Sequence, residues 1–410
     1  MSAPLEAAPA EAPGGRRALA LLATAELFGM SLWFSGSAVL PALQREWRLA
    51  PSLAAWLTLA VQLGFVAGTL TSAVANLPDV LPTRRLFAVS ALLGAASNAA
   101  FALFAHGPAA AIPLRFATGF FLAGVYPPGM KIVATWFRRG RGMALGVLVG
   151  SLTLGKAAPY LVNAVGSADW RKNVLFASGL AVAGGLIVLL LVEDGPFAPA
   201  VARFDAAQLG KVFRNRGVRL ANFGYFGHMW ELYAMWTWVP VLMRESFART
   251  GAAPSLAEIA SFLVIGAGAL GCAAAGVLAD RIGRTLVTSG ALAISGSCCL
   301  VVGLLFGGSP GLLVAVAAIW GAAVVADSAQ FSACVTELGD PAYMGTALTI
   351  QTCIGFLLTT VTIELVPRLA QVVGWRWAFA ALAPGPALGI AAMLRLRSLP
   401  EAAKIAHGKR

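Results

Sequence analysis

The 410-residue sequence is poor in charged side chains, which make up 12% of it, whereas a soluble domain carries about 25%. It has only three histidines and five cysteines, and none of them has the spacing of a metal site or a disulfide framework. No Gly-x-x-x-x-Gly-Lys-Ser/Thr phosphate loop is present. These shortages argue against a soluble domain and predict that the protein is not an enzyme, needs no metal or other cofactor, and is not driven by ATP.

Hydrophobic residues are abundant, at 59% of the chain with a mean hydropathy of +0.78. A helix needs about 20 apolar residues to cross a hydrocarbon core about 30 Å thick. Twelve stretches are long enough, which predicts an all-α integral membrane protein with twelve transmembrane helices: 18–41, 53–77, 86–105, 109–134, 143–165, 173–193, 218–243, 256–279, 285–307, 310–335, 345–367 and 375–394.

The net charge of +12 is unevenly distributed along the chain. If the N-terminus is cytoplasmic, most lysines and arginines fall in the cytoplasmic segments, as the positive-inside rule requires. This asymmetry predicts that both termini are cytoplasmic in a bacterial-type inner (plasma) membrane. The topology in the lipid bilayer then accounts for the excess of positive charge, and nucleic acid is not an expected partner.

Two short phrases recur half a chain apart. "ELFGMSLW" (26–33) matches "ELYAMWTW" (231–238), and "DWR" (169–171) matches "GWR" (374–376), both at an offset of 205 residues. The repeat predicts a duplicated six-helix unit. The expected parts are a disordered tail 1–17, a first bundle 18–193, a linker 194–217, a second bundle 218–394 and a C-terminal tail 395–410.

One loop of the second half and two stretches of the first half resemble the major facilitator superfamily. "GVLADRIGR" (276–284) is similar to its loop signature, "ANLPDVLPTRR" (75–85) is a degenerate first-half copy, and "RFATGFFLAG" (115–124) resembles its fourth helix. The resemblance implies two bundles around a central site and loops that latch one face shut. It assigns gating to Gly276, Asp280, Arg281, Arg284, Asp79 and Arg84, and we place Asp327 in a gating ion pair. Basic loops that only set the topology are the alternative.

Buried ionisable residues within the membrane usually face a cavity or a partner. Glu26 and Glu231 occupy equivalent positions of the repeat, and His228 lies on nearly the same helix face as Glu231. We predict that these three residues handle protons, with Glu231 first. The alternative is that they form buried ion pairs or packing contacts.

Lys156 and Arg115 are cations within the predicted spans. They are interpreted as an anion-binding site or, equally, as members of internal salt bridges. Further candidates for substrate contact or helix packing are Tyr225, Asn222, Trp230, Gln62 and Gln351.

Taken with the resemblance, these residues predict a monomeric secondary carrier that moves a small solute by alternating access. The fifth helix carries Lys156 in "GVLVGSLTLGKAAP" and lacks the Gly-Pro element usual in drug/proton antiporters of the resembled superfamily. Proton-coupled uptake of a small organic anion or metabolite is therefore favoured. Multidrug efflux by proton antiport and a non-transporting sensor remain alternatives.

Overall fold

The computed structural model describes residues 13–49, 51–137, 141–165, 169–197, 213–340 and 344–410. The first half contains α1 (Gly15–Ala38), α2 (Leu40–Trp47), α3 (Pro51–Val74), α4 (Leu77–Val80), α5 (Thr83–Phe104), α6 (Pro108–Leu122), α7 (Tyr126–Ala134), α8 (Arg141–Val165) and α9 (Trp170–Leu191). The second half contains α10 (Arg216–Arg249), α11 (Pro254–Ile282), α12 (Arg284–Val301), α13 (Pro310–Ala326), α14 (Ser328–Leu338), α15 (Met344–Val373), α16 (Trp375–Ala378) and α17 (Pro384–Arg397).

Within the described residues, eleven helical segments are long and apolar enough to cross a membrane. The remaining predicted span, 218–243, lies inside the 34-residue helix α10, which also holds Arg219, His228 and Glu231. Most of the predicted tail (1–12) and linker (198–212) lies outside the described residues.

Two predicted spans are broken helices. The span 109–134 is divided into α6 and α7, because Pro127 and Pro128 lack amide hydrogens and begin a new helix. The span 310–335 is divided at Asp327 into α13 and α14. The breaks occupy corresponding places in the two halves.

The helices up to α9 pack against one another, as do those from α10 onward, and the halves meet along α8 with α11 and α3 with α15. In the α8–α11 seam, Gly142, Gly146 and Gly150 recur every fourth residue. Gly146 and Gly150 lie against the backbones of Cys272 and Ala269. Small residues let membrane helices approach closely, so this stripe sets the contact between the halves.

Both described chain ends lie on one side of the bundle. Gly14, ahead of α1, lies beside Trp136 after α7. The Lys409 ammonium donates to the carbonyl of Asp280 at the end of α11. We call this side the terminal face and the opposite side the far face.

We expect Gly321→Ala to destabilise the second half. Gly321 of α13 crosses α11 so closely that a Cβ would overlap the carbonyl of Val264, and overpacking costs about 1–3 kcal/mol. The melting temperature in detergent should fall by several degrees. Gly290→Ala is the matched control because nothing lies within 4 Å of its Cβ position; equal melting temperatures for the two variants would contradict the prediction.

Candidate functional site

Lys156 lies near the middle of α8 and is 2% exposed. Its Nζ donates a hydrogen bond of 2.5 Å to the Tyr233 hydroxyl. The ammonium also lies 4.2 Å from the ring centroid of Trp33, 4.6 Å from that of Tyr233 and 4.8 Å from that of Trp236. These three rings, here called the aromatic cage, come from α1 and α10 and so from both halves.

The repeated phrases build the cage. Trp33 ends the first phrase, and Tyr233 and Trp236 are three residues apart in the second, a spacing that places both on one helix face. Close packing of Gly155 against the carbonyl of Leu27 brings α8 against α1. From the sequence, the glutamates of these phrases were the candidates for function, whereas Trp33, Tyr233 and Trp236 were not among the predicted site residues.

A second aromatic contact closes one side of the cage. Phe65 of α3 and Phe356 of α15 lie 4.6 Å apart, centroid to centroid. Phe65 is 5.1 Å from Trp33, and Phe356 is 5.1 Å from Tyr233. Lys156 therefore lies where both seams between the halves converge.

Several buried polar groups have no hydrogen-bond partner within the described part of the chain. Those that can donate include the indole nitrogens of Trp33 and Trp236 and the side-chain amide nitrogens of Gln62 and Gln351. Buried donors usually find an acceptor in the protein, in water or in a ligand. The two indoles belong to rings of the cage, so the cage holds donors besides the Lys156 ammonium.

Glu26 is fully buried, and neither carboxyl oxygen has a donor among the described residues. The carboxyl lies against α7, where a Cβ on Gly129 would overlap Oε1. Its neighbour Leu27 touches Gly155, next to Lys156. Glu26 and Lys156 therefore lie at a similar level of the α1–α8 interface.

Glu231, the counterpart of Glu26 in the repeat, lies in a different environment. It accepts hydrogen bonds from Ser295 Oγ at 2.9 Å, from Cys299 Sγ at 3.1 Å and from Trp320 Nε1. All three donors belong to the second half. Glu231 is thus held inside one bundle, away from the cage.

His228 and Asp327 form a second buried pair in the same half. His228 Nδ1 is 2.9 Å from Asp327 Oδ1, and each side chain is 1% exposed. Asp327, expected in a gating ion pair, is paired within its own bundle at the break between α13 and α14.

Arg115 binds the backbone of α1 and lies outside the aromatic cage. Its guanidinium donates to Asn98 Oδ1 at 2.8 Å and to Ser35 Oγ at 3.1 Å. It also donates to the carbonyls of Leu32 and Trp33 on α1. The structure therefore places Arg115 behind Trp33, where it holds the backbone that carries one wall of the cage.

The other predicted substrate residues are scattered. Tyr225 contacts the rings of His228 and Phe331, and Gln351 Oε1 accepts from Ser332. Asn222 is buried without a partner among the described residues. Trp230 is half-buried on the outer side of α10 and donates to the carbonyl of Ala381. It was predicted in the substrate group because it was expected on the same helix face as His228 and Glu231.

The predicted gating residues lie at the terminal face. Arg284 donates to both oxygens of Glu337, at 3.0 and 2.8 Å, and to Gln330 Oε1 at 2.5 Å. These bonds tie α12 to α14 within the second half. Arg281 is exposed.

The contact between the halves is made instead by Gly276 and Asp280, which face Gly142 of α8. In the first half, Arg84 donates to the carbonyl of Val192 at 2.7 Å and lies 3.4 Å from Asp194. The side chain of Asp79 lies outside the described residues.

At the far face a cleft of about 520 Å³ opens between the halves. Arg244 crosses it: its guanidinium bonds Glu258 at 2.5 Å and the carbonyl of Ala38 at 3.3 Å. Because Ala38 ends α1, this contact joins the second half to the first.

The Trp-Arg repeat fastens the far-face ends of the helices. Trp170 Nε1 donates to Glu46 at 2.6 Å, and Arg171 donates to both oxygens of the same carboxylate, at 3.2 and 2.7 Å. In the second half Trp375 Nε1 donates to Glu245 at 2.6 Å. The tryptophan of the repeated dipeptide thus binds a glutamate in both halves, whereas the bonds from arginine to the same carboxylate are seen only in the first half of the described structure.

We expect Glu46→Gln to weaken the bonds from Trp170 and Arg171 at neutral pH. The bonds from Arg171 and Trp170 lower the pKa of Glu46 below its usual value, so its contribution to stability is present above the unfolded pKa, about 4.3, and is lost as the pH falls through the folded value. Melting temperatures at pH 7 and pH 3.5 should therefore differ less in Glu46→Gln than in the wild type. Glu401→Gln, on the exposed C-terminal segment, is the control; an unchanged difference for Glu46→Gln would contradict the prediction.

The sequence profile of the Major Facilitator Superfamily matches residues 21–363 of this chain. The chain belongs to the major facilitator superfamily. It is therefore an integral, multi-pass membrane protein. The fold is also similar to that of the human organic anion transporter MFSD10 (TETRAN), with a TM-score of 0.72, 17% identity, and coverage of 93% of this chain and 100% of that one.

A curated relative is the probable high-affinity nitrate transporter 2.4 of Oryza sativa subsp. japonica, 29% identical over 177 residues. The match spans 40% of this chain and only 36% of the rice protein. The superfamily fold expected from the loop signature is confirmed by these findings.

Proposed function

We propose that this superfamily member carries a small anion by alternating access, coupled to protons, with Lys156 as the residue that binds the anion. The observation that carries the proposal is the location of Lys156: it is buried at the meeting point of both halves and bonded to a neutral phenol. The described ion pairs include no carboxylate partner for it.

A buried cation is costly unless an anion compensates its charge. Cation–π contacts supply about 0.5–2 kcal/mol each, enough to hold the side chain but less than the cost of burying a charge. An ammonium has three donors, and Tyr233 uses one. A bound anion would take the remaining hydrogen bonds.

The donors of the cage favour an oxyanion. The indole N–H groups of Trp33 and Trp236, whose rings lie against Lys156, have no partner within the described structure. Carboxylate and nitrate oxygens accept such bonds, whereas a cationic or purely apolar drug would leave the donors unsatisfied. The names of the rice and human relatives, a nitrate transporter and an organic anion transporter, agree with this assignment.

We assign the coupling proton to Glu26 before Glu231. A buried carboxyl without a donor is most stable when it takes up a proton, and Glu26 has none among the described residues. Glu231, in contrast, accepts three bonds that suit an ionised carboxylate. His228, paired with Asp327, is a relay candidate within the second half. The proposal includes cytoplasmic termini, a bacterial-type inner membrane and a monomer.

The test uses proteoliposomes that enclose a pH-sensitive dye, so that proton movement is followed even when proton and anion charges cancel. Nitrate, formate, acetate, lactate and succinate are applied with and without a pH gradient, and ethidium serves as the cationic drug. Protein-dependent proton movement with at least one anion, and uptake of that anion that follows the proton gradient, are expected. A response to ethidium alone would favour the antiporter, and a lack of response to all six, in protein that still unfolds cooperatively, would overturn the transport of small anions.

A further inference from the structure

An apolar groove runs down the membrane-facing side of the second half, remote from the cage. Its walls are α10 and α17, with one side chain of α15, and it encloses about 580 Å³. This volume falls within the roughly 300–1,000 Å³ of known ligand sites. Its α10 wall is formed by Leu220, Phe223, Phe226 and Trp230.

The groove matches one leaflet in length. From Leu220 to Trp230 the α10 wall extends about 15 Å at 1.5 Å per residue, which is half of a hydrocarbon core about 30 Å thick. Its inner end is the crossing of α10 and α17 at Gly227 and Gly385, where backbone meets backbone. The Trp230 indole closes this end by donating to the carbonyl of Ala381 at 3.2 Å.

The outer end of the groove, at the terminal face, is basic. Arg395 lines it from α17, and Arg216 lies one helical turn before Leu220 on α10. Both side chains are exposed, and neither belongs to an ion pair among the described residues. The apolar groove is thus as long as an acyl chain in one leaflet, and it ends in two unpaired cations at the level of the lipid headgroups.

We propose that this groove binds one anionic phospholipid, with an acyl chain between α10 and α17 and the headgroup phosphate against Arg216 and Arg395. The apolar walls match the chain, and the guanidinium groups match the phosphate. Because α10 also carries Tyr233 and Trp236, the lipid braces the helix that forms most of the cage.

The experiment uses the full-length protein in detergent, titrated with phosphatidylglycerol or phosphatidylcholine carrying identical acyl chains. Melting temperature and native mass spectrometry report binding. If each arginine raises the affinity for the anionic headgroup about fivefold, phosphatidylglycerol should bind roughly 25-fold more tightly than phosphatidylcholine. The Arg216→Gln/Arg395→Gln double variant should lose this preference, whereas Arg85→Gln, an exposed arginine of the first half at the same face, should keep it.

A second variant tests the chain-binding part of the groove. Ala391→Trp, placed on the exposed α17 wall, should remove one tightly bound lipid of either headgroup from the mass spectrum. The proposal is overturned if the double variant keeps the preference, if Arg85→Gln loses it equally, or if soluble glycerol phosphate stabilises the protein as well as the lipid does. A change from dimer to monomer caused by Ala391→Trp would overturn it too, since the groove would then bind a second copy.

Discussion

Replacing Lys156 with methionine is expected to abolish anion transport while leaving the protein folded. Methionine has nearly the same length as lysine, and its sulfur makes favourable contacts with aromatic rings. Replacing a buried charge with an apolar side chain often leaves the stability of the protein unchanged or increases it. Losing the cation should cost the anion about 2 kcal/mol or more, a rise in Kd of at least roughly 30-fold. Uptake by proteoliposomes and the melting temperature are measured on the same preparation.

Two variants bracket this result. Lys172→Met, which removes an exposed lysine at the far face, should transport like the wild type. Tyr233→Phe removes the single hydrogen bond of 2.5 Å to the ammonium and should have an intermediate effect. If Lys156→Met retains transport with unchanged affinity, Lys156 is a structural cation and the anion binds elsewhere.

Glu26→Gln is expected to separate solute movement from proton movement. Glutamine is nearly isosteric but cannot exchange a proton, so uphill uptake driven by a pH gradient should disappear, while exchange of labelled for unlabelled anion persists. The same vesicles should show no external alkalinisation when the anion is added.

Glu231→Gln is the matched comparison from the other copy of the repeat. An amide brings donors of its own to a position that already receives hydrogen bonds from Ser295, Cys299 and Trp320. One or more donors must lose an acceptor, at about 1–3 kcal/mol for each group left unsatisfied. We expect a lower melting temperature with coupling intact. The opposite outcome, in which Glu26→Gln still couples and Glu231→Gln does not, would move the proton site to Glu231.

The two glutamates show how far a repeat predicts function. Duplication places both on the same turn of equivalent helices, and Glu231 ranks first from the sequence because it lies deeper in its predicted span and has His228 near it. The tertiary structure separates them: Glu231 is surrounded by donors of its own bundle, whereas Glu26 is buried without one among the described residues. The hydrogen-bond partners of Glu231 lie 64 to 89 residues away along the chain, so the sequence around Glu231 does not indicate them.

Arg115 and Trp230 illustrate the same limit. Both were candidates for substrate contact, and both lie on helices, Arg115 on α6 and Trp230 on α10. The rotation of each helix about its axis directs Arg115 to the backbone of α1 and Trp230 to the outer groove. Rotation depends on packing against several neighbours, which a nearly uniform apolar sequence does not specify.

The sequence by itself determined the class of protein, the approximate positions of its membrane helices, the duplication and the superfamily, because hydrocarbon thickness and loop signatures act over short stretches of chain. It also placed Lys156 within a predicted span. Only the tertiary structure decided that this cation lies among Trp33, Tyr233 and Trp236 and that Glu26 has no donor among the described residues. The physical reason is that the cage joins helices from both halves and Glu26 is buried where α1 packs against α7, so both environments form only when the helices pack together.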